Sequence, residues 1–255
     1  MNSSTIIIPA RYASTRLPQK LLLCDTGKPL IQHTYESALK ATLPIAVTVA
    51  CDHEEIFNAV KRFGGSVQMT DPAAPSGTDR IAEVAATLDD VDIVVNVQGD
   101  EPEIAGSAID LAIQMLIDHP DAVMSTLATP IRNRRQLEDA ACVKVVFDAE
   151  GRALYFSRSV IPHPRGGIRD EHFAHPSPLF YQHIGLYAYR REFLLRLSQL
   201  PQSDTEKTES LEQLRVLYHG YSMMVGVIDE ASAGIDTPED YRKFVERYTT
   251  GQTRR

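Results

Sequence analysis

Val91-Asp92-Ile93-Val94-Val95-Asn96-Val97, running into Gln98-Gly99-Asp100, decides the fold. The run is almost entirely apolar and β-branched, which suits a strand covered on both faces, as in a parallel sheet. Residues 5–10 read the same way, a short buried strand ending at Pro9-Ala10. Between them, strand and helix patterns alternate. Leu30, Thr34 and Ala38 form one helical stripe opening at Pro29, with Ile31, Tyr35 and Leu39 beside it. Residues 45–51 are β-branched, and Asp52 is a suitable cap for a helix carrying Ile56, Val60 and Phe63. Residues 66–70 form another strand and residues 78–88 another helix. Such alternation implies parallel pairing through right-handed crossovers, with ligands bound beyond the carboxyl ends of the strands. Both Ala10-Arg11 and Gln98-Gly99-Asp100 stand at such ends.

The second half differs. Residues 142–148 and 153–157, joined by Ala149-Glu150-Gly151, read as a β-hairpin. Residues 163–178 are rich in Pro, Gly and His without period, a loop or flap. A strand over residues 182–189, helices over 191–198 and 209–218, a strand over 223–229 and a closing helix begun at Pro238 complete the chain. The expected fold is therefore α/β. Its centre is a three-layer sandwich with a mostly parallel, Rossmann-like twisted sheet, and a hairpin and loop lobe is added. We read one domain, with residues 5–130 its parallel α/β part, residues 131–230 a lobe and residues 231–248 the return to the main sheet.

With 255 residues, 43% hydrophobic and 24% charged, the chain is ordinary globular protein. A formal charge of −8 argues against a general nucleic-acid binder. Cys24, Cys51 and Cys142 are too few and scattered for a disulfide framework or zinc site and read as buried free thiols. The apolar run Ile6-Ile7-Ile8 is far shorter than a signal peptide core, and no stretch approaches a membrane span, so the expected location is cytoplasmic. Neither a Walker loop nor a Gly-x-Gly-x-x-Gly motif is present, which argues against an ordinary ATPase or a nicotinamide dehydrogenase.

Three segments could carry chemistry. Arg11, Arg16 and Lys20 follow a buried strand directly in an otherwise acidic protein. A loop there offers free N–H groups and cations to phosphate, but such a cluster can equally be a solvated basic loop. Asp100, at a strand tip, is either a magnesium ligand or a helix cap. Asp236, just before Pro238, is either the N-cap of the last helix or a second magnesium ligand.

Together these segments resemble the CMP-Kdo synthetases (3-deoxy-manno-octulosonate cytidylyltransferases), from about Ile6 to Tyr248. The similar stretches are Ile8-Pro9-Ala10-Arg11-Tyr12-Ala13-Ser14-Thr15-Arg16-Leu17-Pro18, Ser76-Gly77-Thr78-Asp79-Arg80 and Val95-Asn96-Val97-Gln98-Gly99-Asp100-Glu101-Pro102. Further on come Ala153-Leu154-Tyr155-Phe156-Ser157-Arg158, His183-Ile184-Gly185-Leu186-Tyr187, Leu211-Glu212-Gln213-Leu214-Arg215 and Asp236-Thr237-Pro238-Glu239-Asp240. Gln19 and Leu21 depart from the family pattern, which has Gly and Pro there.

The resemblance implies CMP transfer from CTP to Kdo with release of pyrophosphate. Arg11, Lys20, Asp100 and Asp236 would be the catalytic set. Ala10, Arg11, Arg16, Lys20, Ser76 and Arg80 would bind CTP, and Asp100 and Asp236 would hold Mg2+. Gln98, Arg158, His183, Tyr187, Glu212 and Gln213 would line the sugar pocket, with Arg158 facing the sugar carboxylate and Tyr155 left in the core. It also implies a homodimer, through the hairpin lobe. No general base stands out. Three other readings compete: the same chemistry on 8-amino-Kdo or another 2-keto acid sugar, a sugar-1-phosphate nucleotidyltransferase, and a silent nucleotide-binding module.

Overall fold

A computed structural model describes residues 3–174 and 178–251, and these form two compact units, one of residues 3–110 with 232–251 and one of the described residues between 111 and 231. In the first unit, β1 (Ser4–Ala10), α1 (Leu30–Ala38), β2 (Val47–Cys51), α2 (Glu54–Arg62), β3 (Ser66–Met69), α3 (Gly77–Ala85) and β4 (Ile93–Asn96) alternate as the periodicity predicts. β1 pairs in parallel with β2 on one side and β4 on the other, Ile6 facing both Val47 and Val95 across the ladders. β3 extends the sheet beyond β2, also in parallel. Ile6, Ile7, Ile8, Ile93, Val94 and Val95 have no solvent exposure, the double-sided burial expected of a parallel sheet.

α4 (Gly106–Asp118) crosses the border between the units. A Cβ on Gly106 would lie 2.5 Å from the carbonyl carbon of Lys40, so only glycine fits where α4 begins. In the second unit, β5 (Met124–Pro130) and α5 (Arg134–Glu138) precede the hairpin β6 (Lys144–Phe147) and β7 (Ala153–Ser157). β8 (Tyr181–Arg190), α6 (Arg191–Leu197), α7 (Asp204–Glu209), α8 (Gln213–Tyr218) and β9 (Met223–Val227) follow. β5 runs antiparallel to β8 and parallel to β9, and the hairpin joins β8 through β6. α9 (Pro238–Thr249) closes the first unit.

Several details correct the sequence reading. α4 and β5 were not anticipated. The unit border falls within α4 rather than near residue 130. The helix expected over residues 209–218 is confined to α8, and α7 before it, whose C-cap Ser210 has φ 53°, was not anticipated. His53, not Asp52, caps α2, accepting the Glu55 N–H at 3.2 Å. Cys24 is exposed rather than buried. Tyr155 is 37% exposed rather than part of the core. The loop over residues 163–178 contains a 3-10 turn, Asp170–Phe173, and residues 175–177 of it lie outside the described residues.

Candidate active site

β1 and β4 are parallel neighbours, so their carboxyl ends open on the same edge of the sheet. The chain leaves β1 into the loop of residues 11–19 and leaves β4 into Gln98-Gly99-Asp100. A cavity of about 310 Å³ forms there, lined by Arg11, Lys20, Leu21, Gln98, Gly99 and Asp100 among others. Gly99 permits a close approach: a Cβ would sit 3.0 Å from the Pro9 carbonyl oxygen and 3.3 Å from Leu21.

The last segment of the unit returns to this edge. The Ile235 N–H donates to the Asp100 carbonyl at 2.9 Å, pinning the turn before α9 against the β4 tip. Thr237, rather than Asp236, caps α9: its Oγ1 accepts the Asp240 N–H, while Asp240 Oδ2 accepts from the Thr237 N–H and hydroxyl at 2.9 and 2.7 Å. Pro238 at the first helical position needs no N–H partner. With the cap supplied by its neighbour, the Asp236 carboxylate is released to face the loop. Asp100 likewise caps no helix, since α4 begins only at Gly106.

Both carboxylates meet one ammonium. Lys20 Nζ lies 2.5 Å from Asp100 Oδ2 and 3.1 Å from Asp236 Oδ1. Arg16 Nη2 also reaches Asp236 Oδ1 at 3.1 Å. The Lys20 side chain is only 12% exposed, against 49% for Asp236. Arg11 is exposed, lines the cavity and donates a long bond of 3.4 Å to the Ala74 carbonyl. The cluster thus gathers three cations and two carboxylates from three separate segments of sequence, at the edge where the α/β rule places a ligand. Among the described residues no cluster of three or more His, Cys, Asp or Glu side chains forms a metal cage. Two carboxylates fit magnesium, which takes the rest of its shell from phosphate oxygens and water.

Other expected nucleotide contacts are placed differently. Arg80 is 1% exposed and committed: its Nη1 donates to Thr70 Oγ1 at 2.5 Å, and its Nη2 pairs with Asp52 at 3.3 Å. Its Nε is buried with no hydrogen-bond partner among the described residues. The Ser76 hydroxyl is the N-cap of α3, accepting from the Asp79 N–H and donating to the Asp79 carboxylate at 2.6 Å. Gly77 beside it does line the cavity, while the Ala10 side chain is fully buried at the end of β1. Gln98 lines the same cavity. Ser14 also lines it, a residue inside the quoted loop motif that carried no signal of its own beyond its hydroxyl.

Within the second unit, His183 and Tyr187 lie on β8 with ring centroids 5.4 Å apart. Burial lowers the His183 pKa to about 3, so the imidazole is neutral and shares a 2.9 Å hydrogen bond with Thr126 Oγ1. Burial, and then the charge of Glu212, raises the Tyr187 pKa, so the phenol keeps its proton. Gln213, 4% exposed, has a buried Nε2 with no hydrogen-bond partner among the described residues, an orphan donor suited to a polar ligand. Arg158 is held through its backbone N–H by Glu209 Oε2 at 2.9 Å, and its Nε donates to the Glu209 carbonyl at 2.7 Å.

The chain is similar to known proteins along nearly its whole length. Residues 5–226 match the family model described as Cytidylyltransferase. A 3-deoxy-manno-octulosonate cytidylyltransferase from Rhodopirellula baltica is 48% identical over 95% of this chain and 97% of its own length. One of the same name from Geotalea daltonii is 50% identical over 95% and 97%. A solved structure described as CMP:2-keto-3-deoxy-manno-octonic acid synthetase complexed with CTP superimposes with TM-score 0.90 at 40% identity, covering 98% of this chain and 100% of that one. The α/β fold expected from the sequence is therefore the fold of these proteins. With such identity over such coverage, the chain belongs to the 3-deoxy-manno-octulosonate cytidylyltransferase family.

Proposed function

We infer that this protein transfers CMP from CTP to 3-deoxy-manno-octulosonate (Kdo), giving CMP-Kdo and pyrophosphate. The observation that carries the reading is the meeting of Lys20 with Asp100 and Asp236 on the cavity edge where Arg11 and Arg16 also gather. A hydroxyl of the sugar attacks the α-phosphorus in line and pyrophosphate leaves. The work asked of the protein is positioning and charge stabilisation. Arg11 and Arg16 offer planar, two-pronged donors to the phosphate chain, and Lys20 is a point charge against negative charge building on the leaving group.

Asp100 and Asp236 are the residues that would hold magnesium. Bound there, the ion would polarise a phosphoryl oxygen and lower the proton affinity of the attacking hydroxyl. In the second unit, neutral His183, protonated Tyr187 and the orphan donor of Gln213 supply hydrogen bonds to sugar hydroxyls, and Glu212 and Arg158 complete the sugar-facing set. The functional assembly is a homodimer joined through the hairpin lobe, where Leu154 is 59% exposed on β7 and gains cover from a second copy. The enzyme acts in the cytoplasm, and among the described residues no helix is long and apolar enough to cross a membrane.

The test is product analysis with CTP and magnesium against Kdo, its 8-amino analogue and a phosphorylated sugar. Turnover of Kdo well above both others is expected. Preference for the amino sugar would change the substrate, and preference for the sugar phosphate would overturn the reading.

A further inference from the structure

The loop of residues 11–19 carries Arg11 and Arg16, has no regular secondary structure, and leads into the 3-10 turn that presents Lys20 to the cavity Arg11 also lines. Its first end is fastened by Tyr12. The Tyr12 N–H donates to Asp52 Oδ1 at 2.8 Å, its phenol donates to Glu55 Oε1 at 2.9 Å, and its ring stacks on His53 with centroids 3.7 Å apart. Three contacts to the start of α2 make Tyr12 a fixed post. The other end is Gln19, which adopts φ 50°, ψ 32°, a left-handed conformation unfavourable for a residue with a side chain. Gln19 Nε2 donates to the Tyr12 phenol oxygen at 2.5 Å, so that oxygen accepts from Gln19 while donating to Glu55. The carbonyl of Gln19 starts the 3-10 turn that carries Lys20, accepting the Leu22 N–H at 2.8 Å.

We propose that the Gln19–Tyr12 hydrogen bond is a clasp that closes the cationic loop of this chain and pre-orders Lys20 and Arg11 for a nucleoside triphosphate. Tyr12 and Gln19 are positioning residues; neither touches the reacting atoms. The clasp compensates a strained backbone with a side-chain contact and removes loop freedom that nucleotide binding would otherwise have to quench. The inference rests on the nucleotide reading of this loop.

The test is a double-substitution cycle, read as kcat/KM for CTP, as the split between KM and kcat, and as Tm. Tyr12→Phe keeps the ring stack and removes only the hydroxyl. Gln19→Gly removes the clasp and at the same time relieves the left-handed backbone, so it folds at least as well as the parent. Each is expected to lower kcat/KM for CTP about three- to tenfold, mainly through KM, which is the scale of one hydrogen bond. The double variant is expected to cost no more than either single one. A Tm that rises or holds in Gln19→Gly while KM rises separates positioning from mere stability. Unchanged KM for CTP in either single variant, or fully additive losses, overturns the clasp. Lys20→Ala serves as the control on the underlying reading. If it too keeps parental activity, the nucleotide assignment of the loop fails; if it alone is inactive, only the clasp fails.

Discussion

Lys20→Met removes the ammonium while keeping an unbranched side chain of similar length. In the structure that ammonium lies 2.5 Å from Asp100 and 3.1 Å from Asp236. Two unit charges 4 Å apart at an effective dielectric of 20 attract by about 4 kcal/mol. The side chains of Asp100 and Asp236 are 28% and 49% exposed, so they regain hydration when the lysine is lost, and screening discounts the attraction. The net stability loss is then about 1–3 kcal/mol, mostly from two carboxylates left facing each other, and corresponds to a Tm lower by roughly 2–8 °C. The cost to turnover is larger. A preorganised cation aimed at developing charge contributes on the order of 10²–10³ in rate, so kcat/KM falls by about that factor in a protein still folded at 25 °C. Pyrophosphate release gives the rate and a thermal melt gives the stability. Lys20→Arg does not rescue, because a broad planar fork cannot occupy the point between two aspartates. A Lys20→Met enzyme within about threefold of the parent would show that the ammonium does not stabilise charge on the leaving group.

Asp100→Asn keeps size and removes charge; turnover drops by several orders of magnitude with the melting curve preserved, and near-normal turnover counts against the proposed metal role. Arg215→Met strands Glu206, whose carboxylate takes Nη2 of Arg215 at 2.5 Å and Nε at 2.9 Å in a buried pair, so urea denaturation registers a loss of about 3–5 kcal/mol. His183 gives a pH signature. Its pKa is lowered from 6.5 to about 3 in the fold, so between those values the unfolded chain binds a proton the folded chain refuses. Stability therefore falls as pH drops from 6.5 toward 3, by up to about 1.4 kcal/mol per unit, and His183→Asn flattens that limb in urea titrations at pH 7 and 4.5. Equal pH slopes in parent and variant would show that the imidazole titrates normally.

The parallel half of the fold was legible because its central strands β1 and β4 are buried on both faces and its helices keep a clean stripe. β5 was not. Every residue of Met124–Pro130 is buried, yet Ser125, Thr126 and Thr129 sit among them and break the apolar run. Their hydroxyls are satisfied by backbone carbonyls, Ser125 donating to Ala112 at 2.6 Å and Thr129 to Asp229 at 3.0 Å, partners far away in sequence. Hydrogen bonding of that kind lets polar residues occupy a core, and no local pattern announces it.

The site shows the same division. Its cations and aspartates could be found from their places at strand tips and before Pro238, but whether Asp236 capped the helix or faced the loop depended on Thr237 taking the cap. Arg80 and Ser76 stand in a motif that resembles the family's, yet the structure ties one into a buried pair with Asp52 and the other into the start of α3. Gln19 holds a left-handed backbone that glycine adopts without steric cost, a conformation no local sequence pattern announced.

The most direct test is to mix the purified protein with CTP, Kdo and magnesium and follow pyrophosphate. The expected result is release that requires all three, that yields CMP-Kdo in equal amount, and that vanishes in Asp100→Asn. Pyrophosphate formed without Kdo, or none formed with every component present, would contradict it.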